Sequence, residues 1–195
     1  MKIIELTFTE PLLATRAGDK ELATEFILSK RPNEVAEDEA EALETAAEAV
    51  EKSSTIFMRD EKGRPYLWDY QIKGFFKDAC SMLDRVLPAT KKLKAYKKVI
   101  DGLIFVQPRK LTINTNGGGI GIIERPLRAQ TAQGERISLA RSEAVPAGSK
   151  MRFSLMMLDE ELWDSVKSWL EYGSLRGLGQ WRNSGMGRFT WADVK

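Results

Sequence analysis

Apolar and polar positions alternate over Lys2–Phe8, which puts Ile4, Leu6 and Phe8 on one face; a period of two predicts a strand. Residues 9–33 show no clear period, apart from a helix-compatible stretch around Asp19–Leu28. Asp38–Lys52 is rich in Ala, Glu and Leu and predicts a helix. Its apolar face (Ala40, Leu43, Ala47, Val50) is thin and suits a surface or a partner. Thr55–Arg59 predicts a short strand, Asp60–Gly63 a turn and Pro65–Trp68 an extended segment. Asp69 is placed to cap a helix over Tyr70–Val86, with Ile72, Phe75, Phe76, Ala79, Leu83 and Val86 on one stripe.

Beyond the basic run Lys91–Lys98, Gly102–Gln107 and Lys110–Asn114 are strand-like and separated by Pro108. Asn114–Gly119 predicts a flexible tip, with Gly119–Glu124 pairing back across it. Arg125–Leu139 is a polar segment with several arginines and a Gln-Gly turn. Lys150–Met157 alternates cleanly as a strand. Asp159–Tyr172 carries a helical stripe of Leu162, Val166, Trp169 and Leu170, with Gly173 as its expected C-cap. Arg188–Val194 predicts the last strand. This order is α+β. It is compatible with a ferredoxin-like (RRM-like) βαββαβ core, carrying an acidic helical insertion at 34–52 and β-hairpin insertions within a single domain over 1–195.

Composition narrows the chemistry. The chain has 195 residues, 43% apolar and 30% charged, as expected of a soluble globular protein. No apolar run reaches the length of a membrane span, and the first residues do not form a secretory signal. A single cysteine, Cys80, excludes a disulfide framework and fits a reducing cytoplasm. Histidine is absent, which removes histidine-based triads, histidine metal sites and the usual general base. No cofactor or metal is expected. Residues 1–60 hold 7 basic and 14 acidic side chains, whereas residues 61–195 hold 23 and 14. Eight carboxylates and no Lys or Arg lie in 32–51. The remaining, basic part suits a polyanion.

The segment Gly177-Leu-Gly-Gln-Trp-Arg-Asn-Ser-Gly-Met-Gly187 has the form G-x-G, five residues, G-x-G, and joins a helix to a strand. Its glycines permit positive φ and close backbone approach, and its N–H groups are candidates for phosphate contacts. It lacks the G-K-[ST] of a P-loop and runs in the opposite sense to a dinucleotide loop. The segment resembles the C-terminal glycine-rich loop of the RAMP superfamily of CRISPR-associated proteins. A second match, Gly63-Arg-Pro-Tyr-Leu-Trp-Asp-Tyr-Gln-Ile-Lys-Gly74, is similar to the pattern G-x-P-Y-I-P-G-S-S-L-K-G of type III effector backbone subunits. A third, Val145-Pro-Ala-Gly-Ser149 leading into the Phe153 strand, resembles that family's v-P-x-G-t-x-F strand. The three are collinear over Arg59 to the C-terminus.

The resemblance implies a ferredoxin-like module that binds CRISPR RNA or single-stranded RNA as a subunit of a ribonucleoprotein. CRISPR effector proteins are the implied partners, with self-association along the RNA. The RNA-binding candidates are Lys73 and Gln71 in the upstream motif, Arg125 and Arg128 in the polar segment, and Arg176, Gly177, Gly179, Arg182, Asn183, Ser184, Gly185, Gly187 and Arg188 at the glycine loop. Arg136 lies in the same polar segment and Arg141 just beyond it, and Trp181 offers a ring for base stacking or for the core. The chain departs from the family where P-G-S-S is replaced by Trp68-Asp69-Tyr70-Gln71. It departs again where cleaving subunits carry an aspartate and this chain has Lys52-Ser53-Ser54. A non-catalytic role is therefore expected, with Asp60 and Asp69 as the possible substitutes. Two other readings stay open: a phage-encoded anti-CRISPR that resembles an effector subunit and uses its acidic helix as a phosphate mimic, and an RNA endonuclease.

Overall fold

The computed structural model describes residues 1–17, 54–88, 92–131 and 134–194. The expected helices Asp19–Leu28 and Asp38–Lys52 lie outside the described residues. The described residues form two compact units: 1–13, 58–88, 92–120 and 145–194 in the first, and 14–17, 54–57, 121–131 and 134–144 in the second.

The first unit is built on β1 (Lys2–Phe8), α1 (Asp69–Leu83), β7 (Ile104–Gln107), β11 (Lys150–Met157), α3 (Leu162–Arg176) and β12 (Phe189–Asp193). The four strands lie in the order β12–β1–β11–β7, every neighbour antiparallel. Taken in sequence these are the fourth, first, third and second strands of a βαββαβ chain. That order follows when two βαβ crossovers interleave their strands, and it is the ferredoxin-like arrangement. The α+β fold class expected from the pattern is the one observed. β8 (Lys110–Asn114) continues along β11 after Pro108, and β6 (Pro65–Trp68) and β5 (Met58–Arg59) extend the sheet beyond it. A two-residue strand, β2 (Leu12–Leu13), follows β1 and is fully buried.

Ile4, Leu6 and Phe8 meet Met151, Phe153 and Leu155 in one buried layer under Ile72, Phe75, Phe76, Ala79, Val166, Trp169 and Leu170 of the two helices. Each buried Ile, Leu, Val, Met or Phe side chain there stabilises the fold by about 1.5–3 kcal/mol. Rings interlock there: Phe75 meets Phe189 edge-on at 5.4 Å, and Phe76 lies 5.6 Å from Trp169.

Several boundaries differ from the pattern. The first residue of α1 is Asp69, not Tyr70, and its cap position is Trp68, whose N–H donates to Gln71 Oε1 at 2.8 Å. The helix stops at Leu83 because Asp84–Val86 tighten into a turn, leaving Val86 80% exposed rather than on the buried stripe. Gly173 lies inside α3 and not at its cap, because the Phe189 ring occupies the space a Cβ would take. Gly177, φ +77°, holds the cap position instead. Residues 102–103 are helical: α2 (Tyr96–Leu103) sets Tyr96, Val99, Ile100 and Leu103 inward at helical spacing, and the strand begins at Ile104.

The second unit contains β3 (Arg16–Ala17), β4 (Thr55–Ile56), β9 (Gly121–Thr131) and β10 (Gly134–Val145). The expected strand Thr55–Arg59 is two strands, β4 and β5, with different partners. β9 and β10 form a long antiparallel hairpin from Gly121↔Ala144 to Thr131↔Gly134. Gly119–Glu124 therefore enters this hairpin and does not fold back across the 114–119 tip.

Candidate nucleic-acid interface

The glycine loop is a packed corner between α3 and β12. Gly177, Gly179, Gly185 and Gly187 all have φ between +70° and +86°. Leu178 N–H donates to Gly187 O at 2.9 Å, and Gly187 N–H donates to Pro11 O at 2.9 Å. A Cβ on Gly187 would strike Leu178 O, and one on Gly179 would lie 2.8 Å from Leu13 O. Arg182–Ser184 form one 3₁₀ turn, closed by Ser184 N–H and Gly185 N–H donating to Trp181 O and Arg182 O. The N–H groups of Gly177, Leu178, Ser184, Gly185 and Gly187 thus serve backbone carbonyls.

The loop arginines hold this corner to α1. Arg176 Nε and an Arg182 Nη both donate to Asp78 Oδ2, at 3.0 and 2.8 Å, and Arg176 also donates to Asn183 Oδ1 at 2.7 Å. Arg188 Nε donates to Leu175 O at 3.1 Å. Trp181 is half-buried, between the two environments the sequence offered it. Lys73 lies elsewhere, at the β7 edge: its Nζ donates to Asp101 O at 3.1 Å and sits 5.0 Å from the Phe105 ring. Gln71 serves the start of α1. Arg125 is exposed on β9 opposite Ala140, and Arg128 stands opposite Ile137 in the same hairpin. Within the first unit the candidates are therefore divided between the glycine corner and the β7 edge, while Arg125 and Arg128 belong to the hairpin of the second unit.

A different group of cations does converge. A cleft of about 870 Å³ opens on the sheet face away from the helices, lined among others by Glu5, Arg64, Lys110, Asn114, Lys150 and Arg152. The alternation that buries Ile4, Leu6, Leu111 and Phe153 turns Glu5, Thr112, Lys150 and Arg152 to this face. Glu5 and Arg152 are direct cross-strand partners. Glu5 accepts hydrogen bonds from Lys150 Nζ at 2.9 Å and from Arg152 Nε. Those two donors hold its carboxyl below the ordinary glutamate range, the Lys150 bond contributing most.

Asp60 anchors the cleft's rim. Partial burial raises its pKa, but donors from the Arg64 backbone and side chain and from Lys62 N–H outweigh this and hold it below the usual aspartate value. Gly63 at φ +74° makes that turn possible. Asp69 Oδ1 accepts from the N–H of Tyr70. Of the cleft cations, none was singled out from the sequence. The signal was present in the alternation of β8 and β11, whose polar positions include Lys110, Thr112, Lys150 and Arg152.

Among the described residues, no helix is long and apolar enough to cross a membrane. No family model and no curated protein matches the sequence. Solved structures match the fold. One chain in the cryo-EM structure of the type III-B Cmr-beta bound to cognate target RNA aligns over all of this chain, at 13% identity and a TM-score of 0.55. This chain spans 60% of that chain's length. A chain of a type IV-B CRISPR complex aligns over 98% of this chain and 89% of its own length, at 10% identity and a TM-score of 0.49. The fold is thus similar to that of a type III-B Cmr-beta chain.

Proposed function

We propose that this protein is a RAMP-type RNA-binding subunit of a CRISPR ribonucleoprotein, acting without cleaving the RNA. The observation that carries this is the basic cleft on the open face of a ferredoxin-like sheet. A concave wall of cations focuses potential on a polyanion more than the same charges on a convex surface. Three collinear motifs and the Cmr-beta likeness of the fold support the family. RNA and CRISPR effector proteins are then the partners, with further copies of the chain along the strand.

Lys110 and Arg152 are the phosphate contacts assigned to the cleft; Lys150 remains to neutralise Glu5 when Arg152 is removed. The test measures single-stranded RNA binding over a salt series for a Lys110→Gln/Arg152→Gln variant. Loss of two phosphate contacts lowers the slope of log K against log salt by about 1.4. A Lys73→Gln/Arg188→Gln variant is expected to change it less, since both cations serve backbone carbonyls. Unchanged affinity and slope for the cleft variant would refute the assignment. Labelled RNA incubated with the protein and magnesium or manganese is expected to stay intact. Product bands that vanish on Asp60→Ala or Asp69→Ala would make the protein an enzyme.

A further inference from the structure

The cleft has an aromatic continuation along β6. Tyr66 is buried and meets Trp68 edge-on at 5.2 Å. Trp68 and Tyr70 lie nearly parallel, at 15° and 6.5 Å between centroids. The rings emerge progressively: Tyr66 is buried, Trp68 is half-buried, and Tyr70 is 59% exposed. Cations accompany them. The Arg109 guanidinium is 5.7 Å from the Trp68 ring, and Lys110 Nζ is 5.5 Å from the Tyr66 ring. Lys110 also lines the cleft, so one side chain joins the two features.

These rings stand on a fixed corner. Trp68 closes β6 opposite Lys110, and Tyr70 is in the first turn of α1. The Gln71 side chain accepts from Trp68 N–H, and Asp69 N–H donates to Arg109 O at 2.9 Å, tying the corner to the segment between β7 and β8. Such anchoring presents a ring surface at low ordering cost, which is what stacking requires. A broad apolar partner would call for a wider exposed apolar area. Flanking Arg and Lys fit a flat, π-rich ligand carrying negative charge.

We propose that Trp68 and Tyr70 form a stacking platform for one unpaired base of a single-stranded RNA whose phosphates run past Lys110 into the cleft. This rests on the RNA-binding reading above and adds the place at which a base is held. Stacking on a π face is tolerant of sequence, so the platform selects unpaired strands over duplex rather than one base over another.

Fluorescence anisotropy with a short labelled single-stranded RNA, and with the same strand carrying no bases, tests it. Tyr70 is exposed, so Tyr70→Ala should leave the fold intact, as checked by circular dichroism. Tyr70→Ala is expected to weaken binding of the base-bearing strand by roughly 5- to 150-fold. Tyr70→Phe retains wild-type affinity, and the abasic strand binds wild type and Tyr70→Ala alike. Equal binding of the base-bearing strand by Tyr70→Ala would overturn the platform while leaving RNA binding in place. An equal loss on both strands would also overturn it. A wild-type protein that binds neither strand would remove the RNA-binding reading and the platform with it.

Discussion

Gly187→Ala tests whether the glycine loop is a structural corner. At φ +70° any Cβ is strained by about 1–2 kcal/mol. Here the added carbon would also meet Leu178 O, an unyielding backbone atom. Relieving that overlap must separate the strands of the loop and lose the Leu178 N–H to Gly187 O bond of 2.9 Å. Displacement in a packed site costs about 1–3 kcal/mol, and the hydrogen bond about 1 kcal/mol. The expected loss is about 3–6 kcal/mol, a large part of a typical stability of about 5–15 kcal/mol. Gly185→Ala is the control. Its φ is +86°, but its Cβ would meet only the Arg188 side chain, at 3.5 Å and beyond. It should lose only the backbone strain of about 1–2 kcal/mol. Urea unfolding followed by tryptophan fluorescence separates them, with the Gly187→Ala midpoint about 1–2 M below that of Gly185→Ala. Coincident midpoints would show that close approach at Gly187 does not hold this corner.

Other outcomes follow from the ion pairs and the thiol. The Glu5 carboxyl has a lower pKa folded than unfolded, so its stabilisation is complete above about 4.3 and is lost as pH falls through the folded value. Glu5→Gln should therefore flatten the acid limb of stability against pH, and parallel acid limbs would contradict this. Asp78→Ala removes the common acceptor of Arg176 and Arg182 and should cost about 1.5–3 kcal/mol in urea unfolding, with Asp78→Asn losing less; no loss would deny the tether. Burial, and then the neighbouring Asp84, push the Cys80 thiol up to about 12, so a thiol reagent at mildly alkaline pH should react slowly until urea is added. Rapid labelling of the folded protein would show that Cys80 is accessible.

Strand and helix periods carried the core because burial enforces them. Lys2–Phe8, Lys110–Asn114 and Lys150–Met157 occur with the bounds their alternation predicts. The boundaries that moved are those set by tertiary contact. Nothing local to Gly173 announces that Phe189, sixteen positions on, fills its Cβ space. α2 was obscured by a lysine-rich run whose inward residues, Tyr96, Val99, Ile100 and Leu103, are sparse but correctly spaced. The glycine loop was legible as a backbone device and its packing followed. The use of its arginines was not, since Asp78 is separated from Arg176 and Arg182 by about a hundred residues of chain. The cleft was hidden for the same reason: Glu5, Arg64, Lys110 and Arg152 come from four separate strands or turns.

The two groups of cations differ in what their carboxylates do. Asp78 draws two arginines inward against a loop whose glycines already fix the backbone, and Asn183 takes a further donor of Arg176. That arrangement spends charge on holding the corner. Glu5 also faces two cations, but its position in the middle of β1 places Lys150 and Arg152 side by side on an open surface. One carboxylate opposes two positive charges there, Arg64 at the same cleft is paired with Asp60, and Lys110 adds a further positive charge, so the cleft retains an excess of positive charge. A carboxylate in a polyanion site lowers its potential. It also fixes the head of Arg152, a long side chain that would otherwise lose about 2 kcal/mol in rotamer freedom on meeting a phosphate. On the RNA-binding reading proposed above, the positive potential given up at Glu5 is offset by order already present in Arg152, the assigned phosphate contact, before a strand binds.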